Sequence, residues 1–344
     1  MMREFSTQSL LAAPRAMLGA AALATVLAAS PPSEAGVSWG GTKSGLPWAS
    51  GANGGSGGMA DLQAMRGRKL DVRTVFTRID SWSGLIVSTP GVRSHLGDGA
   101  AIVVAFGMLP QSHRAQHAAC ARGNFDAQMR SFGQGLVANG AARAVLRLGW
   151  EANRLNGYPW AVTGDGGDYK SCFRRWVSVL RSVPGQRFAI DWNMQDKSVF
   201  PPAGMYPGND VVDIVGVNVY DRCPPMRTEA EWSSYFNSRH KDGRNPRGLA
   251  SWLQFARQRG KKLSIPEWGV GGPSVVKLCT APGFDNAFFI RKMHEFLRAN
   301  AASIAYEAYF NGHGYTSDRR GSHKLAPVRY NPKAAAAYKG LWGG

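Results

Sequence analysis

The stretch Arg147-Leu148-Gly149-Trp150-Glu151-Ala152-Asn153 closes an apolar run that begins at Ala144. It reads as a short strand ending on a carboxylate. A second stretch of the same form, Leu263-Ser264-Ile265-Pro266-Glu267-Trp268-Gly269, delivers Glu267 116 residues after Glu151. Side chains alternate along a strand. If Leu146, Leu148 and Trp150 face outward, Arg147, Gly149 and Glu151 face inward. Burying such charges is costly unless they form a site. Gly149 would then leave room beneath a substrate. The same alternation places Leu263, Ile265 and Glu267 inward.

Around these two stretches, strand-like and helix-like runs alternate through the chain. Strands are predicted at 36–39, 72–78, 101–108, 144–149, 188–192, 213–220, 263–267 and 303–310. Helices are predicted at 125–137, 169–183, 246–259, 285–299 and 332–341. Asp285 and Asn331 read as N-caps, the second followed by Pro332 at the first helical position. Gly140 and Gly260 fall where a left-handed residue ends a helix. Eight strand–helix repeats predict a parallel sheet closed as a single-domain (β/α)8 TIM barrel, in which working residues sit at the C-terminal strand ends. The rival is an open doubly wound sheet. The Gly-rich stretch 51–58 lacks a dinucleotide-binding G-x-G-x-x-G order and reads as a flexible loop on one rim.

The chain has 344 residues. Arg3 and Arg15, the apolar run 16–29 and the small residues Ser33 and Ala35 form an export signal. Residues 1–35 are read as a secretory signal peptide and 36–344 as the catalytic domain, placing the mature protein in the periplasm or outside the cell. No later run is long and apolar enough to span a bilayer. Four cysteines in an exported chain suggest two disulfides. Three pairings exist, and Cys120–Cys172 with Cys223–Cys279 would join neighbouring loops of the barrel. The net charge is +18. Cleavage after Ala35 removes two arginines and two glutamates and leaves it unchanged. Such a charge favours polyanionic partners or confers solubility alone. No nucleic-acid-binding motif accompanies it.

Two carboxylates at strand ends suit glycoside hydrolysis, in which one protonates the leaving oxygen and the other attacks or activates water. Donors such as Tyr220 or Arg147 would hold the attacking group ionised. Partial desolvation against Trp150 or Trp160 would help the acid keep its proton. On the sixth strand Val215, Val217 and Val219 alternate outward, while Gly216, Asn218 and Tyr220 face in, where Tyr220 could orient Glu267. Sugars also need flat apolar faces. Trp150, Trp160, Trp192 and Trp268 lie at or just after strand ends, and Tyr158 and Tyr309 join them. Taken singly, a strand-end glutamate is more often a salt-bridge partner and a lone tryptophan more often core. The combination carries the reading. Glu307 is read as inward beside Tyr309, a third acid near the site. His113 and His117, four apart, lack the acid of a metal-binding pattern. Asp126 and Asp165 read as solvated turns or helix faces.

Residues 147–153, followed by Asn156-Gly157-Tyr158-Pro159-Trp160, resemble the acid/base segment of glycoside hydrolase family 26, of the clan of retaining (β/α)8 glycosidases. Residues 213–220 resemble its sixth-strand segment ending in tyrosine. Ile265-Pro266-Glu267-Trp268-Gly269 resembles its nucleophile segment, and Asp191-Trp192-Asn193 its fifth-strand end. The resemblance spans roughly residues 70 to 340. It implies Glu151 as acid/base and Glu267 as nucleophile, with retention through a covalent intermediate. No metal and no cofactor are expected. Family members mostly cleave β-1,4-mannans. They usually carry histidine before the acid/base, where this chain has Trp150. The contact that histidine makes is then missing or falls to Asn153 or Asn218.

The reading is a secreted, monomeric, retaining endo-β-glycosidase. Its partner is a mannan-like or anionic polysaccharide, with no nucleic acid. The alternative is a non-catalytic carbohydrate-binding barrel held to an anionic cell surface, and a polysaccharide lyase stands third.

Overall fold

The computed structural model describes residues 42–154, 157–196, 200–221, 225–271, 285–312 and 323–344. The expected export signal, the strand expected at 36–39, and Cys223 and Cys279 lie outside them. Eight parallel strands close into one barrel in chain order. They are β1 (Ser50–Asn53), β2 (Val72–Phe76), β3 (Ala101–Phe106), β4 (Val145–Leu148), β5 (Ala189–Gln195), β6 (Ile214–Tyr220), β7 (Lys262–Gly269) and β8 (Ile304–Phe310). β8 pairs with β1 to close the ring. The helices are α1 (Gly55–Arg66), α2 (Trp82–Val87), α3 (His117–Ala121), α4 (Asp126–Ala138), α5 (Gly167–Arg181), α6 (Glu229–Phe236), α7 (Leu249–Arg257), α8 (Ala287–Ala299) and α9 (Pro332–Trp342). Among the described residues no helix is long and apolar enough to cross a membrane.

The Gly-rich stretch is not a rim loop. Residues 51–53 belong to β1 and residues 55–58 open α1. Its glycines serve close approach. A Cβ on Gly51 would come within 2.6 Å of the Val72 Cβ, and one on Gly58 within 2.5 Å of the Asn311 carbonyl oxygen.

The helices bury apolar stripes at helical spacing. α5 turns Cys172, Phe173, Trp176, Val177 and Leu180 inward, and α8 turns Phe289, Ile290, Met293, Phe296 and Leu297. Each large side chain so buried contributes about 1.5–3 kcal/mol. They pack on the outer strand faces, including Leu146, Leu148, Val215, Val217 and Val219. Inside the barrel a separate apolar layer holds Val72, Val103, Val145, Ala189, Ile214 and Tyr306. Cys120 of α3 is bonded to Cys172 of α5, with 5.1 Å between their Cα atoms. Gly140 and Gly260 take left-handed φ values of 85° and 66° just past α4 and α7.

Asn331 takes the N-cap position of α9 before Pro332 as expected, but the cap of α8 differs. α8 is capped by Asn286, whose side chain accepts from the amides of Phe288 and Phe289. Asp285 instead accepts from Lys333 N and Ala334 N in the first turn of α9, at 3.0 and 2.7 Å. A capping carboxylate comes from elsewhere in the chain, and the Asn331 side chain makes no cap bond.

Candidate active site

β7 is where strand alternation breaks. Gly216 lies opposite Ser264, yet Val219 lies opposite Trp268, so β7 carries one extra residue between them. The same slip appears against β8, where Ile265 faces Glu307 and Trp268 faces Tyr309. Pro266, which cannot donate to a sheet ladder, sits within this bulge, one of the few places a strand tolerates proline. Below the bulge Ser264 points inward and donates to Asp191 at 2.7 Å. Leu263 and Ile265 pack outward in the helix-facing core, contrary to the simple alternation. The bulge resets the phase, and Glu267 returns to the interior.

A comparable device sets Glu151. β4 ends at Leu148, and the backbone then takes left-handed φ at Gly149 (59°) and again at Glu151 (51°). A left-handed glutamate costs on the order of 1–3 kcal/mol and marks a position the surroundings enforce. Here the Glu151 amide donates to the Asn193 carbonyl at 3.0 Å. Gly149 does not open onto the interior. A Cβ there would lie 3.1 Å from the Met108 Cβ and 3.4 Å from the Trp160 ring. Trp150 turns away from the outer helices and meets Phe76 edge-on, with ring centroids 5.5 Å apart.

The two carboxylates belong to one hydrogen-bonded assembly at the C-terminal ends of β4, β6 and β7. Arg147, fully buried, is ion-paired with Glu267. Its Nε donates to Asn193 Oδ1 at 2.9 Å and its Nη2 to Asn218 Oδ1 at 3.2 Å. The Tyr220 hydroxyl donates to the second oxygen of Glu267 at 2.8 Å. Asn218 Nδ2 donates to Glu151 Oε1 at 2.9 Å. The Arg154 guanidinium stands 3.7 Å from the other Glu151 oxygen. Both glutamates are nearly buried, at 5% and 8% exposure, yet not sealed. Burial, then the charges of Glu267 and Glu151, push the Tyr220 hydroxyl well above its usual range, so it remains a donor. Burial opposes the charge on Arg147, but Glu267, Tyr306 and Asp191 more than offset it and the guanidinium's pKa is raised.

Beneath this assembly lies a second acid. Asp191, fully buried, accepts from Ser264 and from the Tyr306 hydroxyl at 2.6 Å. Burial pushes its carboxyl up to about 6, against the pull of those two donors and of Arg147. A Cβ on Gly216 would lie 2.7 Å from the Ser264 hydroxyl and collide with Asp191. The glycine on β6 is thus explained by this layer.

Several expected residues lie elsewhere. Trp160, Trp192, Trp268 and Tyr309 are fully buried and offer no face to a ligand. Trp160 donates to the Trp150 carbonyl at 2.8 Å and stacks on Tyr158, so it supports the loop that carries Glu151. Trp192 packs on Tyr206 and Phe255 in the outer core. Tyr309 donates to the His323 carbonyl at 2.8 Å. Asn153 exchanges hydrogen bonds with the Gln195 backbone, joining the ends of β4 and β5. Glu307 points outward, contrary to expectation. It accepts from the indoles of Trp268 at 2.5 Å, Trp342 at 3.0 Å and Trp48 at 3.4 Å. Burial raises its pKa. His117 is buried, its Nε2 3.2 Å from the Trp160 carbonyl oxygen. Asp126 is ion-paired with Arg175 rather than simply solvated. Among the described residues no group of three or more metal-binding side chains is present.

Sequence reasoning missed Phe76, Phe310 and His323. Phe76 ends β2 at 41% exposure, within 5.7 Å of the Arg147 guanidinium. Its inward parity with Val72 and Thr74 was the available signal. Phe310 and His323 pack against the Tyr220 ring at 6.3 and 4.8 Å.

A closed parallel barrel with paired glutamates at its strand ends defines a (β/α)8 protein with a cluster of polar side chains at the C-terminal strand ends. Solved structures it resembles include β-mannanases of glycoside hydrolase family 26. A Cellulomonas fimi endo-β-1,4-mannanase double mutant superposes with a TM-score of 0.61 at 17% identity, over 86% of this chain and 70% of the other. The catalytic domain of a Bacillus sp. JAMB-750 family 26 endo-β-1,4-mannanase gives 0.58 at 16%, over 91% and 90%. The Bacteroides ovatus family 26 β-mannanase gives 0.56 at 13%, over 86% and 87%. These likenesses establish the shared fold. No family model matches the chain. No curated protein matches it either.

Proposed function

We propose that this chain is a secreted, retaining endo-β-glycosidase with Glu267 as nucleophile and Glu151 as acid/base. The observation that carries this is one hydrogen-bonded assembly at the strand ends that holds both carboxylates, with Arg147 and Tyr220 on Glu267 and Asn218 reaching Glu151. Glu267 is gripped by a buried cation and a hydroxyl, which fix its plane and leave its remaining lone pairs for attack. Glu151 accepts from the Asn218 amide at 2.9 Å and faces the Arg154 guanidinium at 3.7 Å.

In the first step Glu267 bonds to the anomeric carbon while Glu151 gives its proton to the departing glycosidic oxygen. In the second, Glu151 takes a proton from water, whose oxygen displaces Glu267 from the sugar. Arg147 and Tyr220 balance the charge on Glu267 as its bond forms and breaks. Phe76, exposed beside Trp150, supplies the flat apolar face that the buried tryptophans do not.

The substrate reading is a β-linked mannan-like glycan, following the structural neighbours. An anionic glycan is favoured by the net charge and by Arg154 at the mouth. Activity that falls steeply with salt supports the anionic substrate, and a flat response supports the neutral one.

The test is Glu267→Ala assayed on mannan, glucan, xylan and acidic exopolysaccharide, with the anomeric form of the parent's product followed by NMR. Undiminished cleavage by the variant, or an inverted product, overturns the assignment. Binding without cleavage by the parent supports a carbohydrate-binding barrel instead. Unsaturated ends absorbing in the ultraviolet would mark a lyase.

A further inference from the structure

In a parallel barrel every loop that enters a strand lies on the face opposite the catalytic mouth. That rear face is unusually cationic. Lys69 precedes β2, Arg93 precedes β3, Arg143 precedes β4, Arg187 precedes β5, Lys262 begins β7 and Arg298 ends α8 before β8. All six are exposed, and none pairs with an acid among the described residues. The acids of the same face are already engaged. Asp98 holds Arg73, Asp210 holds Arg174, and Asp213 faces Arg181. Asp71 is buried and accepts from the amides of Ser44 and Ser50. The unpaired positive charge is therefore spread around the barrel, at the entry of six strands out of eight.

Helix dipoles favour basic residues in a last turn, which accounts for Arg298. They do not account for Lys69, Arg143, Arg187 or Lys262, which lie outside helices. We propose that this rear face is a docking surface for an acidic polysaccharide, separate from the catalytic cleft. Charge complementarity selects a carboxylate-bearing polymer, whose repeated anions can meet cations spaced around the ring. The large hydrophobics exposed among the described residues are Phe76, Val87 and Val328, none of them on a strand-entry loop. Among the described residues the face thus offers no apolar wedge for a bilayer, and ion pairing rather than ring stacking would hold the polymer. Docking there holds the barrel on an anionic matrix while the mouth stays open to another chain. The proposal goes beyond the glycosidase reading and does not depend on it.

The test is electrophoresis of the full chain through gels containing polygalacturonate, or dextran as a neutral control. Retardation is expected in polygalacturonate alone, vanishing toward ~1 M salt, where the Debye length falls to roughly 3 Å. Lys69→Gln with Arg143→Gln, Arg187→Gln and Lys262→Gln should weaken retention about tenfold or more. Each pair of these changes alone should give part of that loss, which keeps the test open if the fourfold variant does not fold. Glu267→Ala should bind as the parent does. Undiminished retention of the neutralised variants overturns the proposal. So does binding to phosphatidylglycerol vesicles or duplex DNA without binding to polygalacturonate. Hydrolysis of neutral mannan is measured in parallel. Its absence in the parent, together with no cleavage of glucan, xylan or acidic exopolysaccharide, would remove the glycosidase reading and leave the docking result standing.

Discussion

The side-chain amide nitrogen of Asn218 lies 2.9 Å from Oε1 of Glu151, while the same side chain's oxygen accepts from the guanidinium that grips Glu267. One asparagine therefore couples the positions of both carboxylates. Asn218→Ala removes a donor from one and a support from the other. Hydrogen bonds to charged groups are worth about 1.5–3 kcal/mol, and about 1.4 kcal/mol is tenfold in rate, so kcat/KM should fall roughly 10- to 100-fold. Steady-state kinetics on the best glycan checks this. An unchanged kcat/KM would show that Asn218 does not organise the site.

Glu151→Ala should act differently on different leaving groups. A sugar leaving group needs its proton, and the loss should be about 10²- to 10⁴-fold. An aryl glycoside with an acidic phenol needs little protonation and should lose far less in its first step. Equal losses on both substrates would remove the acid role from Glu151.

Asp191 predicts a pH-dependent stability. Its folded-state value is raised from 3.8 to about 6 by burial, so folding favours the protonated form. Its contribution is fully present below about pH 3.8 and is lost as pH rises through about 6. At about 1.36 kcal/mol per pH unit, the cost above that window is roughly 3 kcal/mol. Asp191→Asn does not titrate, so its stability relative to the parent should improve by up to that amount between about pH 4 and pH 7. Urea unfolding at both pH values measures it, and a constant difference between the proteins would refute it.

Glu307 predicts a purely structural effect. An acceptor-only carboxylate suits three indole N–H donors. Glu307→Gln turns one oxygen into a second donor facing an indole. The variant should lose about 1–3 kcal/mol of stability, with little change in kcat on the folded protein. A large drop in kcat with unchanged Tm would instead place Glu307 in the site.

The barrel was legible because strand and helix periods alternate so regularly, and Arg147, Asn218 and Tyr220 were placed by simple parity. Parity failed where the backbone departs from a flat strand. At Pro266 an inserted residue reverses the sides of Leu263 and Ile265, and the proline itself was the available warning. At Gly149 and Glu151, paired left-handed residues carry Trp150 to the mouth. Trp192 and Trp268 stand beside site residues and so read as sugar platforms, although alternation alone turns them to the helices. β1 was missed because its glycines mimic a linker, when a side chain at Gly51 would collide with Val72. Asp285 reads from sequence as a cap of the nearer helix because a tertiary cap leaves no local trace.

The single extra residue in β7 divides one strand between two tasks. Up to Ser264 the strand is keyed to the barrel's packed floor, and from Glu267 onward to the open mouth. Deleting one residue near Pro266 would rotate Glu267 out of the cleft while leaving the floor intact. Such a deletion acts like a reading-frame shift written in space. It would yield a barrel that folds, keeps its opposite face unaltered and lacks Glu267, the proposed nucleophile, at its mouth, which no change of charge at position 267 could mimic.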